Sequence, residues 1–262
     1  MSDVNSPYPP GTPCWIDLVA ADQRAALDFY RGLFGWEGET GSPQTGGYTI
    51  CTLDGKPVAG ITTSISPDGG PARRTVWTTY FATSDVDASE KAIADSGGTV
   101  VSAGTDVRTL GRVSIDTDPT GAAFGLWQAR DFLGARIVNE PGAFIWSELN
   151  TGDTDAAARF YSDVMGLTDA PLEGEEGYFG LAVDGRVVAG MQGLDKLPPG
   201  TPSHWLTYFA VEDTDTTADT ATSTGGKVLK PPFNSSTGRM AVLQDPQGGK
   251  FAVITPFRPE SR

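Results

Sequence analysis

Two short segments each place a carboxylate two residues after a tryptophan: Trp15-Ile-Asp17-Leu and Trp146-Ser-Glu148-Leu. On a strand, alternation puts such an indole and carboxylate on one face. A carboxylate on an inward face is costly unless it is partnered. It can accept hydrogen bonds from ligand hydroxyls or pair with a ligand ammonium group. It can also act as a general base if burial raises its pKa. Pairing to arginine, or a solvated position, is the competing reading for both. His204 is the single histidine, so any histidine-based catalysis must use it. It sits where a proline-rich loop (Pro198, Pro199, Pro202) enters a strand, which suits a structural role as well. Asp17, Glu148 and His204 are therefore the candidate catalytic residues, with no role assigned to any of them.

Other chemistries lack their motifs. No G-x-S-x-G precedes a helix, and the glycine-rich stretches carry neither G-x-G-x-x-G nor a Walker lysine. Cys14 and Cys51 form no C-x-x-C or metal-ligand spacing and read as buried free thiols. The net charge of −14 disfavours nucleic acid and anionic membrane surfaces, both of which call for clustered Lys and Arg. No apolar run approaches the roughly 20 residues of a membrane span. The opening residues lack a basic and then apolar leader pattern, so a cytoplasmic protein is expected.

The two tryptophan segments belong to a longer repeat. Trp15, Phe29-Tyr30, Leu33-Phe34-Gly35, Gly47-Tyr48, Asp54-Gly55, Val58-Ala59-Gly60, Tyr80-Phe81, Gly97-Gly98, Gly111-Arg112 and Asp118-Pro119 occur in order. Trp146, Phe160-Tyr161, Val164-Met165-Gly166, Gly177-Tyr178, Asp184-Gly185, Val188-Ala189-Gly190, Tyr208-Phe209, Gly225-Gly226, Gly238-Arg239 and Asp245-Pro246 follow in the same order, offset by about 130 residues. A repeat this long is a duplicated domain, not a solenoid unit. The expected division is 1–130, a linker at 131–141, and 142–262.

Each half divides again. Residues 15–19 read as a strand, and Asp22 as the N-cap of a helix over 23–33 that Gly35 ends. Residues 48–53 and 57–63 read as a hairpin turned at Asp54-Gly55. A strand over 75–82, a helix over 85–96 and strands over 99–103, 112–116 and 123–128 complete the first half. The second half repeats this at 144–192 and 204–255. Proline- and glycine-rich runs at 64–72 and 193–203 connect the units.

Four βαβββ modules, a helix ending F-Y shortly before L-F-G or V-M-G, and D-P-x-G before the last strand resemble the vicinal oxygen chelate superfamily, which includes glyoxalases, bleomycin-resistance proteins and extradiol dioxygenases. The resemblance covers about residues 12–256. It implies an α+β fold in which each pair of modules forms a half-open β-barrel cupping a small ligand. Enzymes of the family typically hold a divalent metal with a first-strand His, a fifth-strand His or Gln and an eighth-strand Glu. Those positions fall on Trp15, Thr78 and Gly125 in the first half and on Trp146, Leu206 and Ala252 in the second. None is a usual metal ligand, so no metal and no cofactor are expected.

With alternation, the resemblance gives the expected lining. The first cup would hold Trp15, Asp17, Tyr48, Thr78, Tyr80, Gly125 and Trp127. The second would hold Trp146, Glu148, Tyr178, His204, Leu206, Tyr208, Ala252 and Ile254. Trp and Tyr offer flat contact area with few rotors and suit planar, partly polar ligands. They could equally fill the barrels as core. The resemblance therefore implies a metal-independent binder of an aromatic or polycyclic natural product, for which an anthracycline-like molecule with an amino sugar would suit an acidic cup. Such a binder would act in self-resistance by sequestration, or beside a biosynthetic oxygenase as partner. The alternative is a cofactor-free acid–base enzyme such as a cyclase, ring-opening enzyme or hydratase. Monomer and homodimer both remain open.

Overall fold

The computed structural model describes residues 3–41, 47–63, 75–172 and 175–257. Local signals place most elements. Asp22, Asp85, Asp153 and Asp213 each accept a hydrogen bond from the backbone N–H three residues on, capping α1 (Gln23–Phe34), α2 (Val86–Asp95), α3 (Thr154–Met165) and α4 (Thr214–Ser223). Gly35 and Gly166 end α1 and α3 in the left-handed conformation. Asp54 and Gly55 both adopt positive φ, the turn that matches strand twist, and join β2 (Thr49–Leu53) to β3 (Lys56–Thr63).

The first sheet also contains β1 (Pro13–Ala20), β4 (Val76–Ala82), β5 (Thr99–Val107), β6 (Gly111–Thr117) and β7 (Ala123–Ala129). Its order is β2-β3-β1-β4-β7-β6-β5. The second contains β8 (Phe144–Thr151), β9 (Thr168–Pro171), β10 (Tyr178–Val183), β11 (Arg186–Gly193), β12 (His204–Ala210), β13 (Lys227–Asn234), β14 (Gly238–Gln244) and β15 (Lys250–Pro256), in the order β13-β14-β15-β12-β8-β11-β10-β9. Both sheets stay open. In each, the two modules join through an antiparallel pair, β1 with β4 and β8 with β12.

Two details differ from the sequence expectation. β5 continues to Val107 instead of stopping at 103. The first strand after the helix is complete in the second domain as β9, but among the described residues of the first it shrinks to one bridge between Glu37 and Thr52. Gly38 and Gly41 follow Glu37 and give the segment little side chain to pack. The connector expected at 64–72 lies outside the described residues.

Alternation along β1 sends Ile16, Leu18 and Ala20 to the helix side and Trp15 and Asp17 to the other. The helix-side faces of the two sheets meet, with the Thr79 hydroxyl of β4 2.9 Å from the Ser147 hydroxyl of β8. One core joins α1, β1 and β3 to Phe209, Ala218, Leu243 and Phe251 of the other half. A second joins Phe81, Ile93 and Phe124 to Phe160, Tyr161 and Trp205. The faces that carry the tryptophan–carboxylate pairs therefore point away from one another.

Candidate ligand-binding site

In the first cup, register sets the geometry. Trp15 lies opposite Tyr80, Asp17 opposite both Thr78 and Gly60, and Tyr80 beside Gly125. The Trp15 indole donates to the Tyr48 hydroxyl at 2.7 Å. Tyr48 and Tyr80 hydroxyls donate to Asp17 Oδ2 at 3.3 and 2.9 Å. Gly60 makes room for this relay, because a Cβ there would stand 1.9 Å from the Tyr48 hydroxyl. Gly125 does the same for Tyr80, whose ring would be 2.1 Å from a Cβ. The V-A-G repeat and the small residue of β7 are thus explained by close approach.

Asp17 is buried, and its Oδ1 has no hydrogen-bond partner among the described residues. Desolvation pushes its pKa up to about 7, opposed by the two tyrosine hydrogen bonds. Burial, and then the Asp17 charge, push the Tyr80 phenol well above its ordinary value, so it stays a donor.

The second cup repeats the relay with added amides. The Trp146 indole donates to the Tyr178 hydroxyl at 3.1 Å, and Tyr208 donates to Glu148 Oε2 at 3.1 Å. Glu148 Oε1 accepts from Gln192 Nε2 at 3.0 Å and from Asn150 Nδ2 at 3.2 Å. Burial raises the Glu148 pKa, and hydrogen bonds from Tyr178, Asn150, Tyr208 and Gln192 hold it back. Gly190 leaves space for Tyr178 as Gly60 does for Tyr48. Sequence reasoning missed Asn150 and Gln192. Asn150 follows Glu148 by two on the same strand and was open to discovery by alternation. Gln192 is its register partner on β11 and was not.

The structure brings Trp15, Asp17, Tyr48 and Tyr80 together, and likewise Trp146, Glu148, Tyr178 and Tyr208. Thr78 is half-buried beside Asp17. Leu206 pairs in register with Glu148 and joins Tyr208 and Ala252 in one apolar cluster. Trp127 faces the first cup but is engaged elsewhere: its indole donates to the Phe132 carbonyl at 2.9 Å. Phe132, from the segment between the domains, also packs edge-on against Trp15 at 4.9 Å. No sequence signal marked Phe132. His204 is half-buried at the start of β12, with Nδ1 2.8 Å from the Pro202 carbonyl, and lies opposite Asn150. Cys14 and Cys51 are buried free thiols.

The family's metal does not fit this donor set. Each cup offers one carboxylate with tyrosine or amide neighbours, and the Tyr80 ring lies against Gly125, where the eighth-strand ligand would stand. Among the described residues no three His, Cys, Asp or Glu side chains converge. No helix among them is long and apolar enough to cross a membrane.

Comparison with known proteins agrees with this architecture. The chain is 45% identical over 258 residues to CFP32 of Mycobacterium tuberculosis, named as a glyoxylase, covering 96% of this chain and 97% of that one. It is 38% identical over 260 residues to the anthracycline biosynthesis protein DauV of a Streptomyces species, covering 94% of each. Among solved structures, the 2,3-dioxygenase LapB from Pseudomonas sp. KL28 superposes with a TM-score of 0.64 at 15% identity, covering 97% of this chain and 95% of that one. The Mn(II)-bound glyoxalase from Novosphingobium aromaticivorans gives 0.62 at 14%, covering 97% and 86%. At these identities the likeness speaks for the fold alone. The family model for the Glyoxalase/Bleomycin resistance protein/Dioxygenase superfamily matches twice, over residues 14–126 and 143–253. The chain belongs to that superfamily.

Proposed function

We propose that this protein binds a planar aromatic small molecule of secondary metabolism in an aromatic cup, without a metal. It would sequester that molecule or hold it for a biosynthetic oxygenase. The carrying observation is the Trp–Tyr–carboxylate relay, built twice, with Trp15 and Trp146 at the position where the resemblance implies the first metal ligand. The relay fixes indole and phenol rings as a preorganised apolar wall with one acidic end. The likeness to an anthracycline biosynthesis protein supports an anthracycline-type ligand.

The test is a thermal-shift and tryptophan-fluorescence titration with daunorubicin, before and after dialysis against a chelator. A ligand at 100 times its dissociation constant should stabilise the fold by about 2.7 kcal/mol. Binding that disappears on chelation and returns with metal would overturn metal independence. No binding of any anthracycline would overturn the ligand class.

A second reading is favoured by one observation. Asp17, whose pKa is lifted to about 7, is poised as a general base. In that case the chelated protein should convert its ligand, and Asp17→Asn should slow conversion by roughly 10²–10⁴ while binding persists.

A further inference from the structure

The two cups differ in the donors that reach their carboxylates. Around Glu148, the Asn150 and Gln192 amides supply donors to Oε1 and the Tyr208 hydroxyl supplies one to Oε2, so both oxygens are satisfied. The positions that correspond to Asn150 and Gln192 in the first cup are Val19 and Thr62, which pair with each other in register. Asp17 therefore keeps two tyrosine donors on Oδ2 and a buried Oδ1 with no hydrogen-bond partner among the described residues. Among the described residues, the groups that face it are Tyr48 ahead of β2, Gly60 on β3, and Thr78 and Tyr80 on β4, none of which carries a positive charge.

We infer that the first cup takes the ligand, and that Asp17 Oδ1 accepts from a protonated amine carried by it. This rests on the binding function proposed above and makes it specific. A neutral hydroxyl would complete the hydrogen bonding but leave a buried anion uncompensated, whereas an ammonium group does both. The overall charge of −14 draws cations to the protein.

The inference is tested by titrating daunorubicin, which carries an amino sugar, and its N-acetyl derivative, which has lost the charge, between pH 6 and 8. Because a protonated Asp17 cannot pair with the amine, the affinity of wild type for daunorubicin should fall about tenfold from pH 8 to pH 6. Asp17→Asn should bind at least tenfold more weakly at pH 8 and lose the pH dependence; Glu148→Gln should keep it. Tyr80→Phe removes a hydrogen bond that favours the ionised carboxylate, so it should shift the midpoint of the pH profile upward, which a purely structural role would not do. The N-acetyl derivative should bind more weakly at pH 8 with no such profile. Equal binding of both probes, or a pH profile abolished by Glu148→Gln and kept by Asp17→Asn, overturns the inference while leaving the binding function intact. Failure of both probes to bind any form overturns the binding function and the inference with it.

Discussion

The Tyr30 hydroxyl donates to Asp245 Oδ2 at 2.9 Å, joining residues from opposite halves of the chain inside a buried core. Trp77 donates to the same hydroxyl at 3.0 Å. The mirror set, Trp205 to Tyr161 at 2.8 Å and Tyr161 to Asp118 at 3.1 Å, stands in the other helix layer. Each aspartate belongs to a D-P turn and spends its other oxygen on turn backbone N–H groups. The F-Y and D-P repeats therefore form two symmetric clamps between domains. Tyr30→Phe leaves the Trp77 N–H and one lone pair of Asp245 unpaired in the core. It should cost about 1–3 kcal/mol, read by chemical denaturation. A loss within error would show that water replaces the phenol.

Asp17 should make stability pH-dependent. Its folded pKa of about 7 lies above the ordinary 3.8, so the folded state binds the proton more tightly. That stabilising effect is full below about pH 4 and is lost as pH rises towards 7. Asp17→Asn escapes this loss. Its stability relative to wild type should therefore grow between pH 4 and 8, by an amount bounded at about 4 kcal/mol. A difference that does not change with pH would mean that Asp17 does not titrate in this range in the fold.

Gly125→Ala should push the Tyr80 ring out of its place, because the new methyl would overlap it. The expected cost is about 1–3 kcal/mol, as for other overpacked sites. Losing the Tyr80 hydrogen bond should also raise the Asp17 pKa further. Denaturation at two pH values separates the two effects. A variant as stable as wild type, with an unmoved pH profile, would refute the packing argument.

Trp15→Ala and Trp146→Ala should behave differently. Trp15 is buried against Phe132, so its loss should cost about 3–5 kcal/mol of stability and, if the first cup takes the ligand as inferred, about 2 kcal/mol or more of affinity. Trp146 is half-buried, and its removal should leave affinity near wild type. Melting curves and fluorescence titrations on both variants decide this. A larger affinity loss for Trp146→Ala would reassign the site to the second cup.

Much of the protein was written locally. The aspartate caps, the Asp54-Gly55 turn, the glycine stops and strand alternation act over a few residues, so the sequence alone determined four modules, two domains and the inward face that carries Trp15, Asp17, Trp146 and Glu148. What only the tertiary structure decided depends on groups far apart in the chain. The helices turn towards one another, and the phenol of Tyr30 reaches a turn 215 residues away. Phe132 leaves the segment between domains to cover Trp15. Gln192 reaches Glu148, while among the described residues no amide reaches Asp17. Two carboxylates in matching sequence positions thus differ in chemistry, because the energy of a buried charge is set by the partners that folding brings to it.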